Sequence, residues 1–110
     1  MVNLLDCTIR DGSYAIDYKW KKEDVKEIVT SLVKVGIKYI EVGNGTGLGA
    51  YRKVKGALDD DTYLKNSTPF KNKSHIGVFF IPGIGTKEDI KKFKEEGGDF
   101  IRIGMNATQS

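Results

Sequence analysis

Charged side chains sit in or at the ends of apolar runs that would otherwise read as core. The first run is Leu4-Leu5-Asp6-Cys7-Thr8-Ile9-Arg10-Asp11-Gly12; Glu41 lies between Ile40 and Val42, and Arg102 between Ile101 and Ile103. Side chains alternate faces along a strand, so Glu41 opposes Ile40 and Val42, and Arg102 opposes Ile101 and Ile103. A buried unpaired charge is costly, so these groups need partners or a metal. Two readings stay open. One is a structural ion-pair network among Arg10, Glu41 and Arg102. The other is a site in which Asp11 ligates a divalent cation, Arg10 faces negative charge developing on a substrate oxygen, and Glu41 orients Arg10. Arginine suits that task because it stays charged and offers a planar fork of donors. A carboxylate suits Mg²⁺ or Mn²⁺.

The elements that must position these groups follow from the apolar pattern. Four short runs, residues 3–9, 37–43, 75–81 and 99–104, read as strands. Between them lie helical patterns. Val25, Ile28, Val29, Leu32 and Val33 form one apolar stripe on a helix over about 22–35, stopped by Gly36. Thr86 with Asp89 three residues on is a variant capping box, followed by Ile90 and Phe93 and ended by Gly97-Gly98. In the middle connection, 43–49 is a glycine-rich loop, and a short helix near Asp59-Asp60-Asp61 carries Tyr63 and Leu64. Strands alternating with helices predict an α/β chain with a parallel sheet and right-handed crossovers. An open doubly wound sheet and part of a (β/α)8 barrel both fit, and both collect chemistry at the C-terminal ends of strands.

Composition narrows the class. The 110 residues carry 18 basic and 15 acidic side chains, for a net charge of +3, and 39% of them are hydrophobic. That is one globular domain, not a disordered chain. Lys and Glu alternate along the same stretches, which argues against a nucleic-acid partner. No run reaches the ~20 apolar residues of a membrane helix. Cys7 is the single cysteine, which excludes an internal disulfide and a Cys-based zinc site. Met1-Val2-Asn3 leads straight into a core-like run, so no cleavable leader is expected and the expected compartment is the cytoplasm.

The stretch Leu4 to Gly12 resembles the signature that opens the first strand of the DRE-TIM metallolyases. The Asp, Arg and Glu of that superfamily's name correspond to Asp11, Arg10 and Glu41. Ile40-Glu41-Val42-Gly43 followed by Gly45-Thr46-Gly47-Leu48-Gly49 is similar to the loop after strand two of the 4-hydroxy-2-oxovalerate aldolases. Ile81-Pro82-Gly83-Ile84-Gly85-Thr86-Lys87-Glu88-Asp89-Ile90 resembles their third strand-to-helix junction. The similarity spans nearly the whole chain. It implies an α/β fold with parallel strands and alternating helices, the N-terminal half of a TIM (β/α)8 barrel, with residues 1–110 as a single incomplete barrel domain. It also implies a metal-dependent retro-aldol lyase. A Mn²⁺ or Mg²⁺ ion, with Asp11 as one ligand and the remaining ligands outside this chain, would chelate a small 2-oxo acid. Arg10 would stabilise the pyruvate enolate. An acylating aldehyde dehydrogenase is the partner implied for a full-length relative.

The chain departs from the family pattern at two places. A His two residues after the Asp-Gly pair is the usual base; here Tyr14 takes that position and becomes the acid/base candidate, although a phenol of pKa ~10 is a poor base at neutral pH. Asp-Gly-Ser-Tyr is closer to an aldolase-like branch with Gly-Gly-Tyr at this point. The family's later His-x-His pair has no counterpart: the one histidine, His75, falls at the start of strand three and reads as structural.

Other motifs have plainer readings. Gly45 to Ala50 fits a dinucleotide-loop pattern, but no strand ends in an acidic residue ~20 positions on, so a flexible loop beside the substrate is the better reading. Gly83-Ile84-Gly85-Thr86 could hold an anion at a helix start, but a tight capped turn explains it. Trp20 and Tyr18 read as packing, Cys7 as a buried inert thiol in mid-strand, and Lys87, Lys91, Lys92 and Lys94 as solvated helix surface.

A whole barrel needs ~250 residues. The chain alone is therefore expected to show little aldolase activity, and its ending after a strand reads as truncation. A Claisen-type acyltransferase would need the same enolate stabilisation. A non-catalytic half-barrel that self-associates through its exposed sheet edges is the rival from another class.

Overall fold

The computed structural model describes residues 4–16, 19–67 and 73–104. Along the chain run β1 (Leu5–Asp6), α1 (Thr8–Gly12), a 3-10 turn (Ser13–Ile16), α2 (Lys22–Lys34), β2 (Tyr39–Val42), a second 3-10 turn (Ala50–Lys53), α3 (Asp60–Lys65), β3 (His75–Phe80), α4 (Lys87–Glu95) and β4 (Phe100–Ile103). The strands form one sheet in the order β1-β2-β3-β4, with every pairing parallel. Four parallel strands alternating with helices make the α/β fold of half a TIM barrel. Asn3, Tyr18 and residues 105–110 lie outside the described residues.

The outer face of the sheet is apolar and covered by helices. Ile40, Val42, Ile76 and Val78 are buried there together with Val25 and Val29 of α2 and Phe93 of α4. The stripe read from the sequence is thus the face that α2 presents to the sheet. Gly36 ends this helix with φ near 87°, a conformation open to glycine, and Ile37 N donates to Leu32 O at 3.1 Å to close the turn. At the start of α4, Thr86 Oγ1 accepts from Asp89 N at 3.2 Å and Asp89 Oδ2 accepts from Thr86 N at 3.0 Å. Both halves of the expected capping box are present.

The first strand is the main correction. Residues 3–9 read as one strand, but only Leu5–Asp6 pairs with β2, and Thr8–Gly12 turns into a helix. The Asp6 carboxylate is the cause: it accepts from Thr8 N at 2.9 Å and from Thr8 Oγ1 at 3.1 Å. That side-chain turn competes with the ladder and starts the helical winding. Ile9 is still fully buried. The other strands are shorter than expected by a few residues at their ends. Just before β4, Asp99 N donates to Ile76 O at 2.8 Å and Asp99 Oδ2 accepts from Ile76 N at 2.9 Å, so the side chain takes the place of a ladder carbonyl.

Parallel register puts Glu41 beside Gly77 and Phe79 beside Arg102. These side chains share the inner face, opposite the Ile and Val side chains. Lower on that face the Tyr39 ring stacks on His75 at 5.0 Å and meets Phe100 edge-on at 5.9 Å. Gly77 makes this possible, since a Cβ there would overlap the Phe100 ring. No helix among the described residues is long and apolar enough to cross a membrane.

Candidate active site

Three strand ends bring charge to one point on the inner face. Glu41 on β2 is fully buried. Its Oε1 pairs with Arg10 Nε, and Arg102 grips it with a fork, Nε to Oε2 at 2.6 Å and Nη2 to Oε1 at 3.0 Å. This bidentate grip raises the Arg102 pKa above its ordinary value. Arg10 also donates from Nη1 to Gly45 O at 2.9 Å and pairs through Nη2 with Asp11 Oδ1 at 3.1 Å. The expected network of Arg10, Glu41 and Arg102 therefore exists, and Asp11 extends it. Because Glu41 fixes the guanidinium of Arg10, the ion-pair and positioning readings describe the same contacts.

Tyr14 joins this group from the 3-10 turn. Its hydroxyl donates to Gly45 O at 2.9 Å, the carbonyl that Arg10 also uses. That carbonyl lies in the glycine-rich loop after β2, which docks on β3 through Leu48 N to Phe79 O at 2.7 Å. The loop expected from its composition to be flexible is well bonded within the protein. Leu48 and Asn44 are buried, and Asn44 Oδ1 accepts from both Thr46 N and Thr46 Oγ1. Its amides are committed within the protein: Gly47 N donates to Asn44 O and Gly49 N to Asp60 Oδ2. Among the described residues a 3-10 turn, not an α-helix, follows it, unlike the helix start of a dinucleotide loop.

The comparisons with known proteins bear on the arrangement at this point. No protein-family model matches the chain. Curated relatives do. The 4-hydroxy-2-oxovalerate aldolase of Carboxydothermus hydrogenoformans is 33% identical over 99% of this chain, and that of Serratia proteamaculans is 36% identical over 96%. The 4-hydroxy-2-oxovalerate aldolase 2 of Mycobacterium ulcerans is 32% identical over 99%. The chain is homologous to the N-terminal part of a DRE-TIM aldolase. It spans about a third of the length of the relatives it matches, 33% of the Carboxydothermus protein.

Within the chain, metal-binding groups are few among the described residues. Among the described residues, no three His, Cys, Asp or Glu side chains gather where they would hold a metal ion. Asp11, with a side chain 59% exposed beside Arg10, fits as one oxygen ligand and no more. Cys7 departs from its expected place. It lies between β1 and α1, is only partly buried, and donates from Sγ to Asp11 Oδ2 at 3.3 Å. Burial and the Asp11 carboxylate raise its pKa, which keeps the thiol protonated. His75 is exposed at the N-terminal start of β3, the position expected for it. Trp20 packs on α1 and donates from Nε1 to Ile9 O at 2.7 Å.

Two contributors escaped the sequence reading. One is the Gly45 carbonyl, which a sequence cannot show. The other is Phe79, whose ring lies 4.5 Å from Arg10 Cζ and 5.3 Å from Arg102 Cζ. A phenylalanine in an apolar strand looks like core; its register with Arg102 was the available signal.

A second charged cluster lies on the helical layer. Asp89 pairs with Arg52 and holds its carboxyl below the usual range, while Arg52 is raised. The Asp89 charge already occupies the start of α4, which leaves no anion site at Gly83 to Thr86. Beside it, burial pushes Asp60 up to about 6.

Proposed function

We propose that this chain supplies the arginine–carboxylate part of the active site of a divalent-metal-dependent lyase of the 4-hydroxy-2-oxovalerate aldolase type. The observation that carries this reading is Arg10, locked by buried Glu41 at the C-terminal end of parallel strands with the Asp11 carboxylate beside it. In the retro-aldol reaction the 4-hydroxyl loses its proton, the C3–C4 bond breaks, and C4 leaves as an aldehyde. The bonding pair becomes the enolate of pyruvate, which then gains a proton at C3. Arg10 is placed to stabilise negative charge on the enolate oxygen through N–H donors that Glu41 and Gly45 hold in a fixed direction. Tyr14, on the same carbonyl, is the proposed acid/base group for the hydroxyl proton. Asp11 would hold a Mn²⁺ or Mg²⁺ ion, whose chemistry when bound is polarisation of the 2-oxo acid carbonyl.

The same proposal places the protein in the cytoplasm, with a small 2-oxo acid as substrate and an acylating aldehyde dehydrogenase as the consumer of the aldehyde. Alone, the chain is expected to release little pyruvate, because it offers one metal ligand. The test is a chimera in which this chain replaces the aligned third of the Carboxydothermus aldolase. The chimera should release pyruvate from 4-hydroxy-2-oxovalerate with added Mn²⁺, and Arg10→Ala should lower kcat by about 100-fold or more. A folded chimera without activity, or one indifferent to Arg10→Ala, would refute the reading.

The exposed edges favour a second reading at the level of assembly. Leu5 on β1 and Ile103 on β4 are 38% and 68% exposed. We propose that copies of the chain associate through these edges.

A further inference from the structure

Each of the four strand units sends one side chain to the same place on the inner face. Arg10 follows β1, Glu41 lies on β2, Phe79 on β3 and Arg102 on β4. Three of them form the ion-pair network; Phe79 has neither charge nor polar group. Its ring nevertheless lies against both cations, 4.5 Å from Arg10 Cζ and 5.3 Å from Arg102 Cζ. Both distances fall within the ~6 Å over which a ring face attracts a guanidinium. Phe79 and Arg102 are register partners on adjacent strands, so the ring and the guanidinium are neighbours by construction. Gly104 leaves the ring its space, since a Cβ there would overlap it.

Two guanidiniums share one buried carboxylate, and their mutual repulsion works against that sharing. The negative face of an aromatic ring opposes the repulsion without taking a hydrogen bond from either arginine. Arg10 has five N–H donors. Nη1 donates one N–H to Gly45 O, while Nε and Nη2 are held in ion pairs with Glu41 and Asp11. The remaining N–H on each Nη is what it can offer a substrate, and the plane of the guanidinium decides where those point.

We propose that Phe79 is a positioning residue. Its ring face holds Arg10 and Arg102 side by side by cation–π attraction and so fixes the direction in which Arg10 presents its remaining N–H groups. The consequence for catalysis rests on the enolate-stabilising role proposed for Arg10; the hold on the guanidiniums does not.

The test separates ring electronics from ring shape. Phe79 is replaced by mono-, di- and trifluorinated phenylalanine, which keep its shape and progressively weaken its negative face, and by Phe79→Tyr and Phe79→Leu. Hydrogen exchange of the Nε–H groups of Arg10 and Arg102 is followed by nitrogen-edited NMR on the protein. Exchange should accelerate stepwise with fluorination, reaching about fivefold for the trifluorinated ring and for Phe79→Leu, while Phe79→Tyr stays close to the parent. Equal exchange across the fluorinated series would overturn the proposal, and the near-identical ring shapes keep that result readable even if Phe79→Leu fails to fold. In the aldolase chimera, the same series should lower kcat with KM unchanged; a constant kcat would overturn the positioning role. Graded exchange in a chimera that cleaves nothing would refute the aldolase reading and leave the hold on the arginines intact.

Discussion

Glu41 cannot act as a base while it holds two arginines. Both its oxygens accept from guanidinium N–H groups, and no part of it reaches solvent. What the geometry gives it is a contact with each arginine. Asp60 is the opposite case, a partly buried carboxylate with little compensation. It accepts from Gly49 N, yet burial beside Asp89 and Asp59 raises its pKa from 3.8 to about 6. The native state then keeps a proton that the unfolded chain has already lost. The stability this contributes is full below about pH 4 and is lost as pH rises through about 6. Asp89 and Asp59 are lowered, so their contributions are present above the ordinary carboxylate range and lost as pH falls. Asp60→Asn should therefore raise stability at pH 7 by about 2 kcal/mol and leave it nearly unchanged at pH 4. Thermal melts between those pH values check this, and an unchanged melt at pH 7 contradicts it. Arg10, Asp11, Glu41 and Arg102 were legible in the sequence because charge inside or beside an apolar run is conspicuous. Phe79 was not, because its apolar side chain suits a core strand equally well.

At the scale of elements, the helices were read well and the first strand was not. α2 and α4 carry their own signals in an apolar stripe, a stop glycine and a capping pair. The run Leu4 to Ile9 has apolar content but also Asp6 and Thr8, whose side-chain bonds reward a turn. The turn places Arg10 and Asp11 past the strand end, where the network needs them. The two glycines that shape the sheet and its helix should respond differently to a methyl group. At Gly36 nothing lies within 4 Å of an added Cβ, and the cost is that of a positive φ, about 1 kcal/mol. At Gly77 the Cβ meets the Phe100 ring, and overpacking should cost about 2–3 kcal/mol. Urea unfolding of Gly36→Ala and Gly77→Ala checks the order, and equal losses would contradict it.

At the scale of the whole molecule, the four-stranded sheet has β1 and β4 at its edges, with no further strand paired to either among the described residues. Their unbonded backbone groups are templates for further strands. Sedimentation of the chain should give a mass above that of the monomer, and Leu5→Lys combined with Ile103→Lys should return it to monomer. A monomer at high protein concentration would remove the assembly reading. Element order made the parallel α/β sheet legible, while the choice of a half-barrel over an open doubly wound sheet came from the motif resemblance; what fills the open face was not legible, because edge pairing depends on partners outside the pattern.

The Glu41–Arg102 fork has a further consequence, which concerns time. It joins residues 61 apart in the chain, across a strand that lies between them. Contacts of that span pay their loop-closure entropy late. The fork should therefore close after β2, β3 and β4 have docked, and until then two arginines and a glutamate remain in water. Glu41→Gln should then speed unfolding with little change in the folding rate. Stopped-flow folding arms that shift only on the unfolding side would show that the site is the last part of the fold to form and the first to open.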